Sequence, residues 1–270
     1  MTSASHERRA RRLHFRQLSS TLGGKRRLEA ASAVFDAGPL HAVVGKSGAG
    51  KSVLVKSALG LLPLDEGEVC LERADGSEVC ARADDERSFA WLRQDVVLVQ
   101  QDAALLDDMS AEANVAFVVE RRRRDLTAKQ RHKRVKRWLS QLELTDVASA
   151  VPSELSPGLR RRVALARALC IDPLALIVDE PTTGLDPHAA RNVDAALQQV
   201  ADTGVMLLMV THDVRSLLSL QPHMTWVHER QVQFQGEMAH LPVALRNILD
   251  LDENNALQNG SLPPHTTTQV

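Results

Sequence analysis

Gly45-Lys46-Ser47-Gly48-Ala49-Gly50-Lys51-Ser52 is the stretch on which the reading of this chain turns. An apolar run (Leu40, Ala42, Val43, Val44) precedes it, and a helix-like stretch from Ser52 to Leu62 follows. Strand, glycine-rich loop, helix is the order a phosphate-cradling loop needs. The glycines let backbone N–H groups converge on phosphate oxygens at the positive end of the following helix. Lys51 would then reach the β- and γ-phosphates, and the Ser52 hydroxyl would coordinate Mg²⁺. A Gly/Ser loop can match this pattern by chance, so the remaining stretches must decide.

The chain has 270 residues, 44% of them apolar and 25% charged, a composition that folds as one large or two small units. Its net charge of −1 supplies no global drive toward nucleic acid. No apolar run approaches the roughly 18 residues of a membrane span. Met1 to Arg12 is basic and lacks the apolar core of a signal peptide. Any membrane role is therefore expected to come through a partner. Cys70, Cys80 and Cys170 are an odd count without metal-ligand spacing. They read as small packing residues of a reducing cytosol.

Leu40–Val44, Leu174–Val178 and Val205–Val210 are apolar throughout rather than alternating. That pattern predicts central strands of a parallel sheet covered on both faces. Each runs directly into a polar turn: Gly45 onward, Asp179-Glu180, and Thr211-His212-Asp213. Ligands of such sheets gather at the carboxyl ends of the strands. Leu174 to Pro181 reads L-A-L-I-V-D-E-P, with Asp179 128 residues after Lys51. There Asp179 would present a carboxylate to a nucleotide's Mg²⁺, and Glu180 would polarise a water for attack on the γ-phosphate.

The remaining segments arrange themselves around this core. Glu66 to Ala81 predicts a hairpin with Asp75-Gly76 at its turn. Thr127 to Leu142 predicts an amphipathic helix opened by a Thr127/Gln130 capping box, with Val135, Trp138, Leu139 and Leu142 on one face. Residues 102–159 read as a helical insertion, 1–12 as a basic flexible arm and 253–270 as a disordered tail.

The order of these elements resembles that of the ATP-binding-cassette (ABC) ATPases over roughly residues 13–236. Beyond the loop at Gly45–Ser52, Val99 to Asp102 (V-Q-Q-D) places Gln101 where the family's Q-loop glutamine touches Mg²⁺ and the attacking water. Ser153 to Leu159 (S-E-L-S-P-G-L) resembles the signature loop, and Gly184-Leu185-Asp186 the D-loop. His212 in V-T-H-D resembles the switch histidine that contacts the γ-phosphate. The resemblance implies an α/β fold: a P-loop NTPase with a RecA-like parallel sheet core, an antiparallel β subdomain and an inserted α-helical subdomain, over residues 13–252. It also implies a dimer sandwiching two ATPs with Mg²⁺. Gly45, Lys46, Ser47, Gly48, Ala49, Gly50, Lys51 and Ser52 would then hold one subunit's phosphates, and Ser156 and Gly158 the partner subunit's. Ser52, Gln101 and Asp179 would serve the metal, and Glu180, His212 and Gln101 the chemistry.

Three positions depart from the family pattern L-S-G-G-Q and its adenine-stacking aromatic. Pro157 and Leu159 replace the first glycine and the glutamine, and Leu22 stands near where the aromatic is expected. Proline is tolerated at a first helical position, and Ser156 is a good N-cap for that helix. Within the family, Gly50–Lys56 and Gly158–Leu169 look similar to the lipid-transport ATPases of the maintenance-of-lipid-asymmetry and mammalian-cell-entry (Mla/Mce) systems. That likeness implies integral-membrane permease partners, a peripheral place on the cytoplasmic face of the cell membrane, and a phospholipid or similar hydrophobic cargo. A degenerate or soluble regulatory ATPase is the alternative. From Glu120 to Arg137 ten cations face two acids. Without interleaved aromatics this run predicts a solvated face or a contact with anionic inner-leaflet lipid rather than specific nucleic-acid binding.

Overall fold

The strands form two sheets in a computed structural model that describes residues 9–249. The tail expected at 253–270, and the first eight residues of the expected arm, lie outside the described residues. The larger sheet runs in the order β10 (Gln231–Gly236), β9 (His223–His228), β3 (His41–Val44), β8 (Met206–Val210), β7 (Ala175–Asp179), β6 (Val96–Val99). All its neighbours are parallel except the β9–β10 hairpin. Every residue of β3, β7 and β8 is buried, which accounts for their apolar runs, broken only by His41 at the start of β3 and Asp179 at the end of β7.

The smaller sheet is antiparallel, in the order β2 (Lys25–Asp36), β1 (Ala10–Leu22), β4 (Glu66–Arg73), β5 (Glu78–Arg82). Leu13, Phe15, Val69, Leu71 and Ala81 are buried on its inner face. His14, Arg16, Glu68 and Glu72 alternate with them on the outer face. β1 starts at Ala10, so residues 10–12 are strand and not part of a flexible arm. Their side chains are tied in, Arg11 to Glu72 and Arg12 to Asp36.

A second correction concerns the cysteines. Cys70 and Cys80 face each other across β4 and β5 and form a disulfide. The signal lay in the hairpin itself, because residues equidistant from the centre of its turn, here Asp75, become cross-strand partners. Cys170 is the buried packing residue expected, its thiol pushed up to about 12 by burial.

The helices are α1 (Lys51–Ala58), α2 (Glu86–Asp95), α3 (Ala111–Arg122), α4 (Ala128–Gln141), α5 (Pro157–Leu169), α6 (Pro187–Asp202), α7 (Val214–Leu220) and α8 (Val243–Ile248). None is long and apolar enough to cross a membrane. α1 stops four residues before Leu62, because Gly60 (φ +63°) turns left-handed and packs its Cα against Phe89. α4 opens with the expected capping box: Thr127 N–H donates to Gln130 Oε1 at 2.8 Å, and Gln130 N–H to Thr127 Oγ1 at 3.3 Å. Val135, Trp138, Leu139 and Leu142 are all buried, in one core with α3 and α5.

Candidate nucleotide site

β3, β7 and β8 end side by side, and each delivers one part of the site. β3 leads into the loop at Gly45, whose backbone passes so close to Val227 that a Cβ would come within 2.3 Å of its carbonyl oxygen. Only glycine fits there. Gly50 (φ +110°) is the N-cap of α1, leaving the helix's first N–H groups directed at the loop. Lys51 folds back under the loop and donates to the carbonyl oxygens of Gly45 (2.9 Å) and Lys46 (3.3 Å). Only 7% of its surface is exposed, and burial lowers its pKa against the pull of Glu180 and Asp179. A buried ammonium of this kind gains when phosphate oxygens replace carbonyls as its partners.

β7 ends in Asp179, 3% exposed, whose Oδ1 accepts from Ser52 Oγ at 3.2 Å. Its Oδ2 lies 3.4 Å from Lys56 Nζ. Ser52 and Asp179 thus present two oxygens side by side, the hard donor chemistry Mg²⁺ selects. The next residue, Glu180, adopts φ +51°, an uncommon conformation for a non-glycine residue, and its N–H is pinned to Val210 O at 2.8 Å. This twist swings its carboxylate out of the sheet. Thr183 Oγ1 donates to it at 2.8 Å, and His212, from the turn after β8, places Nδ1 2.9 Å away.

Gly45, Lys46, Ser47, Lys51, Gln101, Glu180, Thr183 and His212 line one open cleft of about 490 Å³. Four of the loop residues and all three expected reactive side chains are therefore brought together around it, while Gly48, Ala49, Gly50, Ser52 and Asp179 are not among the lining residues, Ser52 and Asp179 being bonded to each other. Ser156 and Gly158 are not among the lining residues. Ser156 is exposed, caps α5 by accepting from Leu159 N–H at 3.3 Å, and stands before Pro157 at the first helical position. Gly158 is buried against α6, where a Cβ would lie 3.2 Å from that of Ala189. Leu22 closes β1 at the Gly23-Gly24 turn, and it too is absent from the cleft lining.

Sequence reasoning passed over four participants. Thr183 follows the Asp-Glu pair by three residues. Lys56 lies four residues after Ser52, the spacing that puts both on one helix face. Arg161, on α5, reaches from its helix to Gln100 O (3.4 Å) and Thr183 O (3.5 Å), linking the two loops that flank the cleft. The apolar end of α8, Ile248 and Leu249, joins Val214 in the lining and had no motif to announce it.

The family described as ABC transporter matches residues 28–183. The methionine import ATP-binding protein MetN of Corynebacterium jeikeium is 31% identical over 242 residues, covering 84% of this chain and 64% of its own. The glutamate/aspartate import ATP-binding protein GltL of Escherichia coli K12 is 37% identical over 178 residues, 66% of this chain and 70% of its own. The Arabidopsis thaliana chloroplastic protein named TRIGALACTOSYLDIACYLGLYCEROL 3 is 33% identical over 242 residues, 83% of this chain and 68% of its own. Among solved structures, the dimeric post-hydrolysis state of the cassette MJ0796, bound to ADP and Pi, superposes with a TM-score of 0.70 at 24% identity, covering 84% of this chain and 98% of that one. The chain belongs to the ABC transporter family, as one of its ATPases.

Proposed function

We propose that this chain is the ATP-hydrolysing subunit of an ABC transporter, working as a pair of copies and driving a membrane permease. The observation that carries the reading is the Glu180 carboxylate, held by Thr183 and His212 beside the buried Lys51. In this reading the backbone of Gly45 to Gly50 and the Lys51 ammonium bind the phosphates. Ser52, Asp179 and Gln101 hold Mg²⁺, which when bound neutralises charge on the β- and γ-phosphates. Glu180 orients the attacking water and takes its proton on a carboxylate oxygen, and His212 fixes that carboxylate and meets the γ-phosphate. Ser156 and Gly158 serve the nucleotide of the other copy, which accounts for their distance from this chain's own cleft. The dimeric cassette among the similar structures supports that arrangement.

A groove of about 170 Å³ between β6 and α5, lined by Gln100, Ala104, Arg122, Arg167 and Ile171, is where a permease segment would dock. It touches the loop carrying Gln101, so docking and catalysis share a connection. A permease would hold the chain at the inner face of the membrane, with the basic face of α4 toward anionic lipid. That face is less charged than its sequence, because Arg134 pairs with Asp172 and Lys136 with Glu112, and Arg123, just before α4, joins Arg134 on Asp172.

For the cargo we favour a phospholipid or similar hydrophobic molecule. The Gly50–Lys56 and Gly158–Leu169 sequences support it, as does the relative named for a galactolipid. The relatives named for methionine and glutamate/aspartate import favour a second reading, amino-acid import. ATPase rates of the chain co-purified with its permease in vesicles separate the two. Stimulation by phospholipid and indifference to methionine, glutamate and aspartate is expected, and the reverse pattern selects amino-acid import. An ATPase that no permease stimulates defeats the transport reading.

A further inference from the structure

The outer face of the four-stranded sheet carries sulfur chemistry that nucleotide turnover does not use. Cys70 and Cys80 are direct partners on β4 and β5, and their surroundings differ. Cys70 is fully buried, and Arg16 Nη1 donates to its Sγ at 3.5 Å. Cys80 lies half-buried on β5, the edge strand of its sheet. Arg16 pairs with Glu68 (2.8 Å) and Glu78 (3.2 Å), and Arg82 donates to Glu68 from the other side at 3.0 Å.

We propose that the Cys70–Cys80 bond is a thiol-exchange site that accepts a small aliphatic thiol as a mixed disulfide on Cys80. The incoming thiolate attacks Cys80 Sγ, on the half-buried residue of the pair. A new S–S bond forms there, the Cys70–Cys80 bond breaks, and its electron pair leaves on Cys70 Sγ. One disulfide and one thiolate replace another disulfide and another thiolate, so no external oxidant is consumed. The Arg16 guanidinium sits where the negative charge arrives, and a leaving thiol departs faster as its thiolate is stabilised. Burial closes the alternative attack on Cys70. In the reverse step the Cys70 thiolate attacks the Cys80 sulfur of the mixed disulfide and expels the small thiol. Cys170 does not compete, since it is buried in the other core beside α4.

The test takes the full chain after mild oxidation with diamide and incubates it anaerobically with reduced glutathione. Denaturing alkylation and peptide mass analysis then locate the adduct. The expected result is glutathione on Cys80 with alkylated Cys70. Arg16→Met should slow the exchange about tenfold, and Arg16→Lys should recover most of the rate. Should Arg16→Met fail to fold, the Cys80-to-Cys70 ratio in the native chain decides alone. The proposal is overturned by adduct on Cys70, by a native chain that stays inert while the denatured chain reacts, by an unchanged rate in a folded Arg16→Met protein, or by a chain in which diamide forms no 70–80 bond.

Discussion

Glu180 and His212 are 32 residues apart on neighbouring strand ends, yet the carboxylate and Nδ1 meet at 2.9 Å. His212 is 60% exposed at its side chain and Glu180 12%, so the histidine shields the carboxylate from the open side of the cleft. Parallel pairing of β7 with β8 (Asp179 opposite Val210) sets this meeting, since it aligns the two turns on one rim.

Thr183 should matter to turnover more than to binding. Its hydroxyl is the second group holding the Glu180 carboxylate. Thr183→Val is expected to lower kcat about tenfold with KM for ATP nearly unchanged, because one neutral hydrogen bond to a charged group is lost, worth about 1.5 kcal/mol. Steady-state ATPase kinetics check it. A rise in KM at constant kcat would place Thr183 in ground-state binding instead.

Asp194 gives the protein a stability slope with a definite sign. It is 5% exposed on α6, accepts from Ser216 Oγ at 2.9 Å, and leaves Oδ1 without a partner, so burial lifts its pKa from 3.8 to about 6. The folded state then holds the proton more tightly than the unfolded chain. Its contribution is most favourable below about pH 4 and is lost as pH rises through 6. Relative to Asp194→Asn, the native chain should lose about 2–3 kcal/mol of stability between pH 4 and pH 7. Urea unfolding of both proteins across that range reads the difference, and parallel curves would show that the carboxylate titrates normally.

Much of this site is written in the sequence because its parts are local. The glycine loop, the Asp179-Glu180 turn and the Thr127 capping box each depend on neighbours within a few residues, and each stands where its motif puts it. The all-apolar strands announce double-sided burial in the same way. What escaped depends on register or on distant packing. The Cys70–Cys80 pair follows from the alignment of β4 with β5, and the entry of Ile248 and Leu249 into the cleft from the docking of α8. The start of β1 at Ala10 depends on Glu72 and Asp36 being within reach of its arginines, which charge composition does not reveal.

Ser156 tests the two-copy arrangement. It caps α5 within its own chain and lies outside that chain's cleft. Ser156→Ala is expected to leave ATP affinity of the single chain within about twofold while weakening ATP-driven pairing. The lost cap itself costs about 1 kcal/mol of stability. Equilibrium sedimentation with and without ATP measures both effects. Pairing unchanged by Ser156→Ala would reduce the residue to a helix cap.

The most direct measurement is size-exclusion chromatography of Glu180→Gln with and without Mg-ATP, alongside its hydrolysis rate. Glutamine keeps the shape of the side chain and removes its capacity to take a proton. The account predicts a variant that binds ATP, turns it over at least about 100-fold more slowly than the native chain, and elutes as a dimer only with nucleotide. A Glu180→Gln protein that stays monomeric with ATP and hydrolyses it at the native rate would contradict the account.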